Sequence, residues 1–521
     1  LLLPFFSSCS KLKLMLAKVF SGATVGLNPV PVEVEVDVAS RGLPSLTIVG
    51  LPNKAIEEAK ERVRSAIKNT GLEFPPGRIT INLAPADLPK EGPAYDLPIA
   101  LGILLASGQI QADVSQTLVL GELSLDGSLR HTNGILPMAI MAREKKFKQL
   151  FLPSLDASEA SVISGVDVIP LDSLKNLLNH LNELKVIESF PHTSFSKLIA
   201  KPSYEFDMKE IKGQEHAKRA LEIAGAGGHD LVMIGPPGAG KTMLARALPS
   251  ILPDLTEEEA LEVTKIYSIT GMIPSGESII KIRPFRSPHH TTSRIGLIGG
   301  GSRPKPGEIS LAHRGVLFLD EFPEFPRYVL EALRQPLEDG VVTISRARGR
   351  ARFPAKFILI AASNPCPCGY LGDPRHECQC SPSQIIRYRK RVSGPIIDRI
   401  DLHIEVPAVK VSKLTEEMEA ESSAKIRRRV QKARDRQTKR FKKTNLACNA
   451  EMSNRDIKKF CPLSSQCLTL LRQAVSQLAL SARGYYKIIK ISRTIADLAG
   501  EKEIATDHIA EALQYRPKKQ E

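Results

Sequence analysis

The chain runs to 521 residues, 42% hydrophobic and 25% charged, the balance of an ordinary globular protein rather than a disordered or fibrous one. Its 72 basic against 57 acidic side chains leave a net charge of +15, which points to a polyanionic partner, most commonly nucleic acid. No apolar run approaches the ~20 residues of a membrane helix; the most apolar stretch, DLPIALGILLASG (96–108), contains Pro98 and Gly102 and reads as a buried helix.

At roughly 150 residues per domain, the length suits three or four domains. Residues 1–14 precede Met15 and read as an upstream extension or a mis-set start. LLLPFFSSC has no basic residue and a short apolar run, so no secretory signal is expected. Over 15–186, strand-like runs (VPVEVEVDV, RITINL, TLVLGELSL) alternate with helical ones (NKAIEEAKERVRSAIKN, ILPMAIMAREKKF), predicting a mixed α/β domain. Residues 187–206 are weakly patterned and read as a linker. A second α/β block spans 207–406, and 407–521 is mostly helical with a basic start.

The second block carries the chemistry. In DLVMIGPPGAGKTMLARAL (230–248), an apolar strand runs into Gly235, Pro236, Pro237, Gly238, Ala239, Gly240, Lys241 and Thr242, then a helix. Glycines let backbone N–H groups turn inward around phosphates, and the helix start adds a positive dipole end. Lys241 is expected on the β- and γ-phosphates of ATP, with Thr242 on Mg²⁺. The strand of GVLFLDEF (315–322) ends in Asp320, a second Mg²⁺ ligand, and Glu321, which would polarise the attacking water. The strand of KFILIAASN (356–364) ends in Asn364, a sensor of the γ-phosphate or a turn residue before Pro365. Arg399 fits either an arginine delivered to a neighbour's ATP or a surface pair with Asp398 or Asp401. Arg483 or Arg493, with Arg483 preferred, would fold over the nucleotide from the helical block, unless both are plain surface charges.

Three further stretches stand out. VVTISRARGRARFPAKF (341–357) places Arg346, Arg348, Arg350 and Arg352 at alternate positions around Gly349, predicting a β-hairpin whose arginines either solvate an edge or grip phosphates. CPCGYLGDPRHECQC (366–380) offers Cys366, Cys368, Cys378 and Cys380, as free thiols or as a closed, structural Zn²⁺ site with His376 in reserve. With the other cysteines scattered, this usage suits a reducing cytoplasm rather than a secreted disulfide framework. KIRRRVQKARDRQTKRFKK (425–443) reads as a helix charged almost all round, either a solvated connector or a DNA-facing surface.

The motif order resembles the AAA+ class. More narrowly, RPFRSPHHTTS (283–293), GEISLAHRGVLFLDEFPEF (307–325), LEDGVVTISRARG (337–349), NPCPCGY (364–370) and SARGYYKIIKISRTIADL (481–498) are similar to magnesium-chelatase-like ATPases of the ComM/YifB type, from about Met15 onward. The resemblance implies a P-loop AAA+ core with a helical lid and Gly213-Gln214 near the adenine. It implies a ring, a homohexamer, with Arg399 acting between subunits, and two hairpins facing the pore. It further implies a DNA helicase or branch-migration motor of natural transformation, acting on single-stranded or branched DNA beside recombination proteins. A motor working through protein partners, of the chelatase or remodelling kind, is the alternative.

The first block resembles a Lon protease-like (ribosomal S5 domain 2-like) α/β fold at APADLPKEGPAYDLPIALGIL (84–104) and GELSLDGSLRHTNGILPMAI (121–140). Active sites of that type have a Ser soon after Gly-Pro and a Lys in the second block. Here Gly92-Pro93 precedes Ala94, and Leu136 aligns with the Lys, so no Ser/Lys peptidase is expected.

Overall fold

The computed structural model describes residues 16–39, 43–52, 54–88, 90, 92–198, 204–274, 276–301, 304–346, 349–409, 420–478 and 480–517. The extension read over 1–14, part of the linker and Arg348 lie outside the described residues. The chain forms two compact units, one from its N-terminal part together with Thr264–Ile280, the other from the rest beyond Lys201.

The N-terminal unit is built on β1 (Leu16–Val25), β2 (Asn28–Ala39), β3 (Ser45–Val49), β4 (Arg78–Ala84) and β5 (Thr117–Val119), with a small β6 (Glu122–Leu123) and β7 (Leu129–Arg130) hairpin, then β8 (Gln149–Pro153) and β9 (Asp167–Leu171). Among the described residues its main sheet has seven strands in the order β3-β4-β2-β1-β5-β8-β9. Alternation in β2 explains its orientation: Val32, Val34 and Val36 are buried, while Glu33 and Glu35 pair with Lys18 on the neighbouring strand at 2.6 and 3.1 Å. The helix Asp96–Ala106 is buried on nearly all sides, as its unbroken apolarity requires. Gly102 lets it approach β2, since a Cβ there would sit 2.6 Å from Val36 Cγ2.

The second unit continues with β10 (Leu231–Ile234), β11 (Phe285–Arg286), β12 (Gly299–Gly300), β13 (Lys305–Pro306), β14 (Val316–Leu319), β15 (Val341–Arg346), β16 (Gly349–Pro354), β17 (Ile358–Ser363) and β18 (Leu402–Glu405). A parallel sheet runs β11-β14-β17-β10-β18. Its strands are short continuous apolar runs (LVMI, VLFL, ILIAAS) because both faces are covered. The helices Ser423–Phe441, Ala482–Ala499 and Thr506–Gln514 follow. Val430, Ile488 and Tyr515 share one hydrophobic core with Leu231, Phe318 and Ile360 of the sheet. In such open parallel sheets, ligands bind at the carboxyl ends of the strands.

Candidate functional site

The loop Gly235–Gly240 leaves the carboxyl end of β10 and enters the helix Lys241–Ala247. Gly238 and Gly240 hold φ of 74° and 87°, and nothing lies within 4 Å of where their Cβ atoms would be, so this side of the loop is open. Gly235 is needed for the opposite reason: a Cβ there would sit 2.1 Å from the Val406 carbonyl oxygen. Lys241 is buried, and its ammonium donates to the carbonyls of Gly235 (2.6 Å) and Pro236 (2.9 Å) and to Asn364 Oδ1 (3.1 Å). Desolvation pushes its pKa below the usual lysine range, with the Asp320 charge opposing.

Adjacent strands deliver the acidic and amide groups. Thr242 Oγ1 donates to Asp320 Oδ2 at 2.8 Å, joining the loop to the end of β14. Glu321 follows in the left-handed region with φ 49°, its N–H donating to Asp320 Oδ1 at 3.0 Å. Its carboxylate lies 3.1 Å from His290 Nδ1. Gln214, with φ 61° before the helix Glu215–Gly227, donates to the carbonyls of Ala239 (3.2 Å) and Pro407 (2.6 Å). The structure therefore gathers Gln214, the loop, Lys241, Thr242, Asp320, Glu321 and Asn364 at one end of the sheet.

A family model described as magnesium chelatase, subunit ChlI, matches residues 207–414, its C-terminal counterpart matches 420–516, and a further ChlI model matches 34–156. The competence protein ComM of Haemophilus influenzae is 46% identical over 508 residues, 96% of this chain and 97% of that protein. YifB of Escherichia coli is 43% identical over 507 residues, again 96% and 97%. The chain belongs to the magnesium-chelatase-like AAA+ family, in its ComM/YifB branch. The magnesium-chelatase 38 kDa subunit of Rhodobacter capsulatus is a more distant relative, 28% identical over 187 residues, 32% of this chain and 52% of that one. Membership of this AAA+ family implies ATPase activity. No described helix is long and apolar enough to cross a membrane.

Within this AAA+ unit the two candidate arginines lie away from the phosphate loop of their own chain. The N–H groups of Asp401 and Leu402 donate to the Asp230 carbonyl just before β10, so Arg399 stands at the amino ends of the parallel strands. The loop stands at their carboxyl ends, about 13 Å of strand away. Arg399 pairs with Glu338 at 2.6 Å, and Arg483 pairs with the same carboxylate at 2.6 Å and with Asp398 at 3.7 Å. Both line a cleft of about 690 Å³. Arg483, expected to fold over the nucleotide, thus lies away from the loop of its own chain: the helix Ala482–Ala499 is tied at its start to the Arg399 segment by Ser481–Asp398 and Lys487–Asp401 contacts. Arg493 is buried inside the helical block, capping the carbonyls of Glu501 and Lys502 and pairing with Asp497.

The segment 425–443 also departs from expectation. The helix Ser423–Phe441 buries a stripe of Ile426, Val430, Ala433 and Phe441. Arg429 pairs with Glu222 and Glu421, and Arg440 with Asp497, so much of its charge is spent inside the unit. The hairpin does form: β15 pairs with β16 in the register Thr343↔Arg352, Ser345↔Arg350 and Arg346↔Gly349. Val342, Ile344, Ala351 and Phe353 are buried, and Arg350 and Arg352 are exposed. Gly299 of the β12–β13 hairpin approaches Ile344, whose Cδ1 would be 2.9 Å from a Cβ there.

Sequence reading missed two features. His290 sits in a quoted motif, but nothing local announces its contact with Glu321. A buried network at the amino ends of the strands joins His229 to Asp401 (2.9 Å) and Thr494 (2.8 Å), and Asp401 to Lys487 (2.9 Å). Burial pushes the neighbouring Asp230 carboxyl up, whereas Lys487 holds Asp401 well below the usual range against its own burial.

Proposed function

We propose that this protein is an ATP-driven DNA-translocating motor, a ring-shaped helicase or branch-migration factor of natural transformation or recombination. The observation that carries the DNA part is the β15–β16 hairpin, anchored by Val342 and Phe353 while Arg350 and Arg352 stand exposed on the ATPase unit. Guanidinium groups hold phosphates bidentately, and backbone contacts carry no sequence information, which suits a translocating motor. Arg346 and Arg348 belong to the same proposed contact. The competence protein among the relatives supports this setting.

In the ATPase cycle, Gly235–Gly240 surrounds the phosphates and Lys241 exchanges its carbonyl acceptors for β- and γ-phosphate oxygens. Gly213 and Gln214 lie toward the base. Thr242 and Asp320, with oxygens 2.8 Å apart, form a hard oxygen donor set that fits Mg²⁺. Bound there, the ion would neutralise charge on the phosphate oxygens. Glu321 orients and polarises water, and Asn364, already bonded to Lys241, reads the γ-phosphate. Arg399 and Arg483, at the far edge of the sheet, serve the ATP of the next copy in a cyclic assembly, a homohexamer in our reading. The N-terminal unit serves assembly or guidance as a Lon protease-like fold without peptidase chemistry, because Ala94 and Leu136 supply neither nucleophile nor base. The free cysteines of the described residues suit the cytoplasm.

The test is ATP turnover with and without single-stranded and branched DNA at two salt concentrations, for the wild type and an Arg350→Ala/Arg352→Ala variant. Stimulation that falls with salt and is lost in the variant supports the motor. Basal turnover indifferent to every DNA rejects it in favour of protein partners.

A further inference from the structure

Residues 364–381 connect β17 to the helix Pro382–Arg389 without any helix or strand of their own. Within this connection only Cys366 and Gly369 are buried. A structureless connection of this length is uncommon in a compact domain. It buries almost no apolar side chain to offset the entropy of holding one shape.

Four sulfurs converge in it. Cys366 Sγ lies 3.3 Å from Cys368 Sγ and 3.7 Å from Cys378 Sγ, and Cys368 and Cys378 are 3.6 Å apart. With Cys380, all four lie within 4.8 Å of one another. Tetrahedral zinc with Zn–S bonds of ~2.3 Å sets its sulfurs about 3.8 Å apart. A disulfide requires ~2.05 Å, and all four are free. His376 is otherwise occupied, stacked on Tyr370 with ring centroids 4.8 Å apart. The convergent set consists of the four sulfurs, without His376.

The cluster is seated on the nucleotide loop. Gly369, whose N–H donates to the Cys366 carbonyl at 3.0 Å, holds φ 89°. A Cβ there would be 2.7 Å from the ring carbons of Pro237. Two residues before Cys366, Asn364 accepts from Lys241 at 3.1 Å.

We propose that Cys366, Cys368, Cys378 and Cys380 bind one Zn²⁺ ion in a closed tetrathiolate site, and that this knuckle holds Asn364 and Gly369 against the phosphate loop so that ATP turnover depends on it. The dependence of turnover rests on the ATPase reading above; the metal site does not.

The experiment uses the full chain purified without a metal-affinity tag, under reducing conditions with zinc supplied. Zinc per chain is measured by mass spectrometry, and its release is followed as a mercurial titrates the thiols. Two variants accompany the wild type: Cys378→Ser/Cys380→Ser, which removes ligands, and Gly369→Ala, which keeps them but forces the knuckle off Pro237. The wild type is expected to hold about one zinc per chain. The double variant loses the metal, and Gly369→Ala retains it. Both variants lose turnover by about 10²-fold through misplacement of Asn364. Their affinity for a fluorescent ATP analogue stays within about threefold, the mark of a site that acts after binding. A wild type without zinc overturns the metal site, whatever the variants do. Zinc lost with turnover intact overturns the coupling. Zinc present in a wild type that never hydrolyses ATP supports the metal site and rejects the ATPase reading with the coupling.

Discussion

Glu321 occupies a left-handed conformation, φ 49°, that costs a non-glycine residue about 1–3 kcal/mol unless its surroundings enforce it. Two neighbours do so: its N–H is held by Asp320, and His290 lies 3.1 Å from its carboxylate. Glu321→Gln keeps the size and removes the charge proposed to polarise water. ATP turnover is expected to fall by about 10²–10⁴-fold, while a fluorescent ATP analogue still binds. His290→Ala leaves the carboxylate but frees its direction, with a smaller expected loss of about tenfold in kcat and little change in KM. Equal turnover in His290→Ala and wild type would show that the contact is idle. Asp320, Glu321 and Asn364 were readable because each ends a short apolar strand, a local pattern. His290 was not, because its contact spans a long stretch of chain and only the fold creates it.

Helix Ile135–Glu144 starts at Gly134, which brings no side-chain cap, and has no acidic residue in its first turn. Glu159 fills the gap from another helix, accepting the Leu136 N–H at 2.7 Å. Burial pushes its pKa from an ordinary 4.5 up to about 7, against the pull of that hydrogen bond. The folded unit therefore holds this proton more tightly than the unfolded chain. The stability it contributes is full below pH 4.5 and is lost as pH rises through about 7, a span worth about 3 kcal/mol. Glu159→Gln keeps the acceptor and cannot titrate. Its melting temperature relative to the wild type should climb between pH 5 and pH 8, and a constant difference would refute this account. His131 and Asp156, which titrate nearby and interact with the Glu159 charge, remain in both proteins. Elements of this kind divide by legibility. The hairpin at 341–354 was readable from alternation and the strand–loop–helix at 231–247 from spacing, because a few neighbouring residues decide both. The helix at 425–443 was misread as charged all round, because arginines that look solvated in sequence find Glu222, Glu421 and Asp497 only after folding.

Within the ATPase unit, the parallel sheet sets two groups of side chains at opposite strand ends: loop, acids and Asn364 at one, Arg399 and Arg483 at the other. No movement of side chains alone spans that separation, so the arginine assistance proposed above would need a second copy. A neighbour's ATP was already one of the readings for Arg399; for Arg483 the sequence did not suggest it, because that residue lies on a helix that local cues allow to close over the nucleotide. The Lys487–Asp401 and His229–Asp401 contacts fix it elsewhere. The consequence can be tested by mixing. Lys241→Ala removes the phosphate grip, and an Arg399→Ala/Arg483→Ala chain removes the donated charges; each alone should be nearly inactive. In a ring co-assembled from equal amounts, an intact loop meets intact arginines at about one interface in four, so about a quarter of wild-type turnover should return. If the arginines served their own chain, no mixture would contain a complete site and turnover would stay at the level of the separate variants. Recovery would also make the oligomer a condition of chemistry, so turnover per chain should fall on dilution in step with the loss of assembled rings.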